Sequence, residues 1–176
     1  MKYYLILIIL LVTSSNLFCA PYMLTIKQQT IQTQIEKSMP VEKSNLIGKA
    51  IINNPLLALN GQLNQIEFWV DFDALIFKKF QAIGKSKVSA KLFYDHDEGE
   101  FYLRKTVIEE LIMDNVKDKH IPIFKKLLHV VVKSSLKKNP IFTLDEKDQK
   151  QKFAKASIKS VAIVDEALIV VMNMGL

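Results

Sequence analysis

The stretch NQIEFWVDFDALIF, residues 64–77, alternates apolar and polar side chains with unusual regularity. Ile66, Phe68, Val70 and Phe72 fall on one side, and Glu67, Trp69, Asp71 and Asp73 on the other. Successive side chains of a strand point to opposite faces, so this period of two predicts a strand with one buried face. That face needs a second layer to pack against. A related pattern follows in KVSAKLFYDHDEGEFYLRKTVI, residues 87–108. Val88, Ala90, Leu92 and Tyr94 share one side, the chain turns through Asp95–Glu100, and Phe101, Leu103 and Val107 resume the apolar face, which predicts a hairpin.

The period changes in PIFKKLLHVVVKSSLKK, residues 122–138. Ile123, Phe124, Leu127, Leu128, Val131 and Ser135 form one stripe of a helix, while Lys126, His129, Lys133 and Lys137 form a polar one. Pro122 suits a first helical turn, and Asn139-Pro140 ends the helix. At 1.5 Å per residue such a helix is about 25 Å long, enough to cross a sheet.

Shorter elements fill the remainder. YMLTIKQ predicts a strand, and QTIQTQIEKSMP a helix with Ile31, Ile35 and Met39 on one stripe, ended by Pro40. Residues 41–61 read as extended segments broken at Gly48, Asn53-Asn54-Pro55 and Asn60-Gly61. After NPIFTL comes a charged helix, DEKDQKQKFAKA, then two strands, SIKSVAIV and ALIVVM, joined at Asp165-Glu166. The order predicts an α+β domain in which one curved antiparallel sheet wraps the long helix.

The first residues, MKYYLILIILLV, join one charge at Lys2 to an apolar run that is too short for an ordinary membrane-spanning helix. This predicts an export signal over residues 1–20 and a single domain over 21–176, exported to the periplasm or anchored in the cell envelope. The chain's one cysteine, Cys19, stands at the end of that segment. It is a lipid attachment point, part of a discarded signal, or an incidental thiol. Bulky Phe18 beside it suits lipid attachment poorly, which favours cleavage or a retained anchor.

The chain is 49% hydrophobic and 24% charged, with a net charge of +6, the composition of a folded basic protein. For an exported protein this charge points to a membrane surface or an envelope polymer as partner, not to nucleic acid. Lysines gather between Lys117 and Lys138, where they suit anionic headgroups or simply a solvated helix face.

Catalytic signals are missing. Asp95, Asp97, Glu98 and Gly99 resemble the start of a calcium loop, but position twelve falls on Thr106, so a charged hairpin turn is the plainer reading. His96, His120 and His129 are not at zinc-ligand spacing, and the five glycines are isolated. The sequence therefore argues against an enzyme and suggests no catalytic residue, cofactor or metal.

In their order, the segments YMLTIKQQTIQTQIEKSMP, LNQIEFWVDFDALIF, the acidic hairpin, NPIFTL and VAIVDEALIVVM resemble the YceB-like bacterial lipoproteins, over about Tyr22 to Met172. The resemblance implies the tubular lipid-binding (TULIP) fold, with an apolar interior between a curved sheet and a long helix. Members usually have a small residue before the lipidated cysteine, and this chain has Phe18. On this basis Ile66, Phe68, Val70, Phe72, Ala90, Leu92, Phe101, Phe124, Leu127, Leu128 and Val131 are the expected lining of a site for a lipid or fatty acyl ligand. The other reading of the same residues is a closed core in a structural or adaptor protein of the envelope.

Overall fold

The computed structural model describes residues 22–114 and 116–173. Cys19 and the N-terminal apolar run lie outside them.

Strand β1 (Tyr22–Lys27) leads directly into helix α1 (Gln28–Lys37). Strands β2 (Val41–Ser44), β3 (Gly48–Asn60), β4 (Gln65–Ile76), β5 (Phe80–Asp95) and β6 (Glu100–Met113) follow as a meander. A 3-10 turn (Asp118–His120) opens helix α2 (Ile121–Lys138), and β7 (Phe142–Thr143), α3 (Gln149–Ser157), β8 (Ile158–Val164) and β9 (Ala167–Met172) complete the chain. All strand pairs are antiparallel.

The protein is thus α+β, but its strands form two sheets where the alternation pattern predicted one. Six strands run in the order β2-β3-β4-β5-β6-β7, and three in the order β1-β9-β8. The two sheets part because β1 pairs with the C-terminal hairpin, Tyr22 opposite Met172, and not with its neighbours in sequence. No local pattern could reveal that pairing.

Helix α2 contacts β2, β3, β4 and β6. Its stripe supplies Phe124, Leu127, Leu128 and Val131, each at most 1% exposed, to the same core as β4's Ile66, Phe68, Val70 and Phe72. Each such side chain contributes about 1.5–3 kcal/mol when fully buried.

Two irregularities correct the sequence reading. Residues 48–60 form one strand and not several pieces; Asn53-Asn54-Pro55 makes a bulge within it, with Asn54 at φ 47°. Val107 does not share a face with Phe101 and Leu103. It is 49% exposed, because the register with β5 shifts near Lys105 (φ 54°) and turns Thr106 and Ile108 inward.

Helix α1 protects a sheet edge. Beyond β2, the free edge of β3 meets Gln28 and Gln32, one helical turn apart. Gln32 Oε1 accepts the Leu57 N–H (2.8 Å), and Gln28 accepts from Leu59 and donates to the Leu57 carbonyl (both 3.1 Å). Two side-chain amides thus satisfy backbone groups that a missing strand would have paired.

Candidate functional site

The expected lining residues do converge between the large sheet and α2, and they close on one another. Ile66, Phe68, Val70, Phe72, Ala90, Phe101, Phe124, Leu127, Leu128 and Val131 are all buried, and Leu92 is half-buried against them. Beside the last turns of α2 lies a cavity of about 10 Å³, walled by Phe68, Val70, Val132 and Leu136 among others. That is at the threshold for a single water, roughly 10–15 Å³.

The layer opens at the N-terminal end of α2. A cleft of about 320 Å³ lies there, with Phe124 as its floor and Phe80, Val116 and His120 as walls. The Phe80 and His120 rings stack with centroids 4.3 Å apart. Lys79, Lys117 and Lys119 form the rim. Among the described residues none of these lysines is in an ion pair. The first turn of α2 carries no acidic residue, and no side chain caps it. Asp118 stands in the 3-10 turn that leads into α2 and its carbonyl accepts the Ile121 N–H, so the positive potential of the rim comes from the lysines. An apolar floor beneath a cationic rim suits an amphiphile with an anionic head.

A second cleft, about 480 Å³, lies toward the other end of α2 between Leu103–Thr106 and Lys133 and Lys137. Thr106 is 8% exposed, and its hydroxyl has no hydrogen-bond partner among the described residues. Arg104 in the same wall is stacked over Phe93, 3.3 Å from the ring centroid.

The acidic segment forms the β5–β6 turn. Asp95 Oδ1 accepts the Asp97 N–H (3.2 Å), the Gly99 N–H returns to the Asp95 carbonyl (2.9 Å), and Gly99 has φ 72°, a region open to glycine without strain. Among the described residues no three His, Cys, Asp or Glu side chains are grouped to hold a metal. The histidines stay apart: His96 meets Tyr94 edge-on, His120 stacks on Phe80, and His129 sits on the flank of α2. Next to the turn, the hydrogen bond from Tyr102 to Glu100 pushes the Tyr102 phenol up to about 12, and burial raises Tyr94.

Of the expected lining, only Phe124 reaches the open cleft. Lys79, Phe80, Val116 and His120 were missed, because they come from a turn, a strand end and a pre-helix segment with no shared period. One signal was available: an apolar-basic turn, Phe77-Lys78-Lys79, follows directly on the most regular strand.

These features define an α+β protein with a packed helix-on-sheet core and a basic, apolar-floored cleft at one end. Residues 26–166 match the model of the family described as "Protein of unknown function (DUF1439)", and the chain belongs to that family. No curated protein matches it. Among the described residues no helix is long and apolar enough to cross a membrane.

Proposed function

We propose that this is a non-enzymatic, exported protein of the bacterial cell envelope that binds a lipid or fatty acid between its large sheet and α2. Its N-terminal segment holds it at a membrane, through Cys19 or through the apolar run. The ligand's anionic head sits among Lys79, Lys117 and Lys119, and its chain enters over Phe124. The cleft carries this reading, since there the helix–sheet layer reaches solvent over the rings of Phe80, His120 and Phe124, with three lysines beside them.

A TULIP-like curl of the large sheet is supported by the reach of α2. Neighbouring strands lie about 4.8 Å apart, so β2 and β6 would stand roughly 19 Å apart in a flat sheet. The last two turns of α2 stand by both strands, Val132, Ser135 and Leu136 walling a cavity with Val41 of β2, and Lys133 and Lys137 a cleft with Leu103–Thr106 of β6, which favours a sheet bent around the helix. Entry of an acyl chain then requires Phe124 and its neighbours to part, as minor states of a packed core allow.

The 10 Å³ cavity favours a second reading, a closed adaptor that docks partners on its surface. Fatty acid uptake separates the two. Wild-type protein should bind a fluorescent fatty acid, and Val116→Trp, which fills the cleft, should weaken binding at least tenfold while melting stays cooperative. Absence of wild-type binding, or binding unchanged by Val116→Trp, rejects the proposed site.

A further inference from the structure

Two turns stand beside the cleft, and each presents an apolar side chain at its tip. Leu46 crowns the β2–β3 turn fully exposed, at 104%. Asn45 fixes that turn, its Oδ1 accepting the N–H groups of Ile47 (2.8 Å) and Gly48 (3.1 Å). Phe77 crowns the β4–β5 turn, 57% exposed. The two turns are tied together, because the Phe77 N–H donates to the Ile47 carbonyl at 2.9 Å.

The second turn is built against local preference. Phe77 and Lys78 have φ of 52° and 54°, and the Lys79 N–H closes the turn on the Ile76 carbonyl at 3.1 Å. Two positive φ angles in succession are ordinarily supplied by Gly, Asn or Asp. Phe77 gains little burial in return for that strain, so folding does not account for its presence. Around the tips stand Lys78, Lys79, Lys117 and Lys119, and among the described residues none of the four is in an ion pair. Asp114 and Asp118 on the facing segment leave the cluster net positive.

We propose that this end of the molecule docks on an anionic lipid bilayer, with Leu46 and Phe77 entering the interface and the lysines meeting headgroup phosphates. Apolar tips ringed by unpaired lysines match both layers of such a surface, hydrocarbon below and negative charge above. The inference deepens the lipid-binding reading, since Lys79 and Phe80 continue from the turn into the cleft wall. A lipid leaving the bilayer would reach the cleft without crossing water.

The test uses the full chain and a readout confined to the tip. Phe77→Trp in a Trp69→Phe background leaves one indole, because Trp69 is the chain's only tryptophan. Brominated phospholipids should quench that indole at least twofold more in vesicles containing phosphatidylglycerol than in pure phosphatidylcholine vesicles. Adding Lys78→Glu and Lys79→Glu should remove the difference. Quenching that is absent, or equal in both vesicles, overturns the proposal, as does a blue shift that grows with protein concentration without vesicles, which marks contact between copies. Fatty acid uptake measured separately distinguishes the two readings: quenching without uptake upholds the docking tip and rejects the cleft as a lipid site.

Discussion

Strands β4 and β6 belong to the same sheet and contact the same helix, yet they keep order differently. Along β4 the inward set Ile66, Phe68, Val70, Phe72, Ala74, Ile76 is unbroken. Along β6 the inward set is Phe101 and Leu103, then Thr106 and Ile108, then Leu111 and Met113, with two changes of parity. β4 is hydrogen-bonded along most of its length on both sides, so an extra residue would break two ladders. β6 pairs with β7 only at Glu100 and Phe101, and from Tyr102 onward it is an edge. An edge can absorb bulges, and bulges also keep it from pairing with other chains. The regular strand therefore builds the closed wall, and the irregular one walls the second cleft.

The largest test of this contrast compares two residues that simple alternation would put on one face. Leu103→Asp, at a position 1% exposed, should cost several kcal/mol, since it buries an unpaired charge. Val107→Asp should change stability by no more than about 0.5 kcal/mol. Equal losses in denaturant unfolding would mean that the bulge at Lys105 is misplaced.

A smaller effect should have opposite signs on neighbouring strands. The Ser86 hydroxyl in β5 donates to the Glu110 carbonyl at 3.1 Å, so Ser86→Ala should destabilise by about 1 kcal/mol. The Thr106 hydroxyl in β6 has no partner among the described residues, so Thr106→Val should stabilise by about 1 kcal/mol in thermal or denaturant unfolding. A loss in Thr106→Val would show that the hydroxyl is bonded after all.

The smallest effect lies on the wet face of β4. The Lys87 ammonium, 2.7 Å away, and then the Asn60 amide hold the Glu67 carboxyl below its ordinary value of 4.5. Its stabilising contribution is therefore complete above pH 4.5 and is lost as pH falls through the lowered folded-state value. Glu67→Gln should lower stability slightly at neutral pH, where that contribution is complete, and converge with wild type as pH falls below 4.5, which flattens the acid limb. An unaltered acid limb would remove Glu67 from the account.

The same contrast explains what could be read from sequence. Period two in β4 and the apolar stripe of α2 were legible, because a buried face specifies every second residue of a strand and about every third or fourth of a helix. The hairpin turn at Asp95–Glu100 was legible from its glycine. Val107 was misassigned because a bulge shifts parity without leaving a glycine behind; Lys105 takes the positive φ instead. The pairing of β1 with β9 depends on residues at opposite ends of the chain, and the cleft on side chains gathered from three separate segments. Nothing in local periodicity encodes either.

The central claim is that lipid enters at the α2 N-terminal cleft while the wall around β4 stays closed. Paramagnetic broadening by a spin-labelled fatty acid, read from the protein's backbone amide signals, tests it most directly. The account predicts selective broadening at Phe80, Val116, His120 and Ile123, with Asp71 and Ser86 at mid-sheet spared. Uniform broadening, or none at a saturating fatty acid concentration, would contradict it.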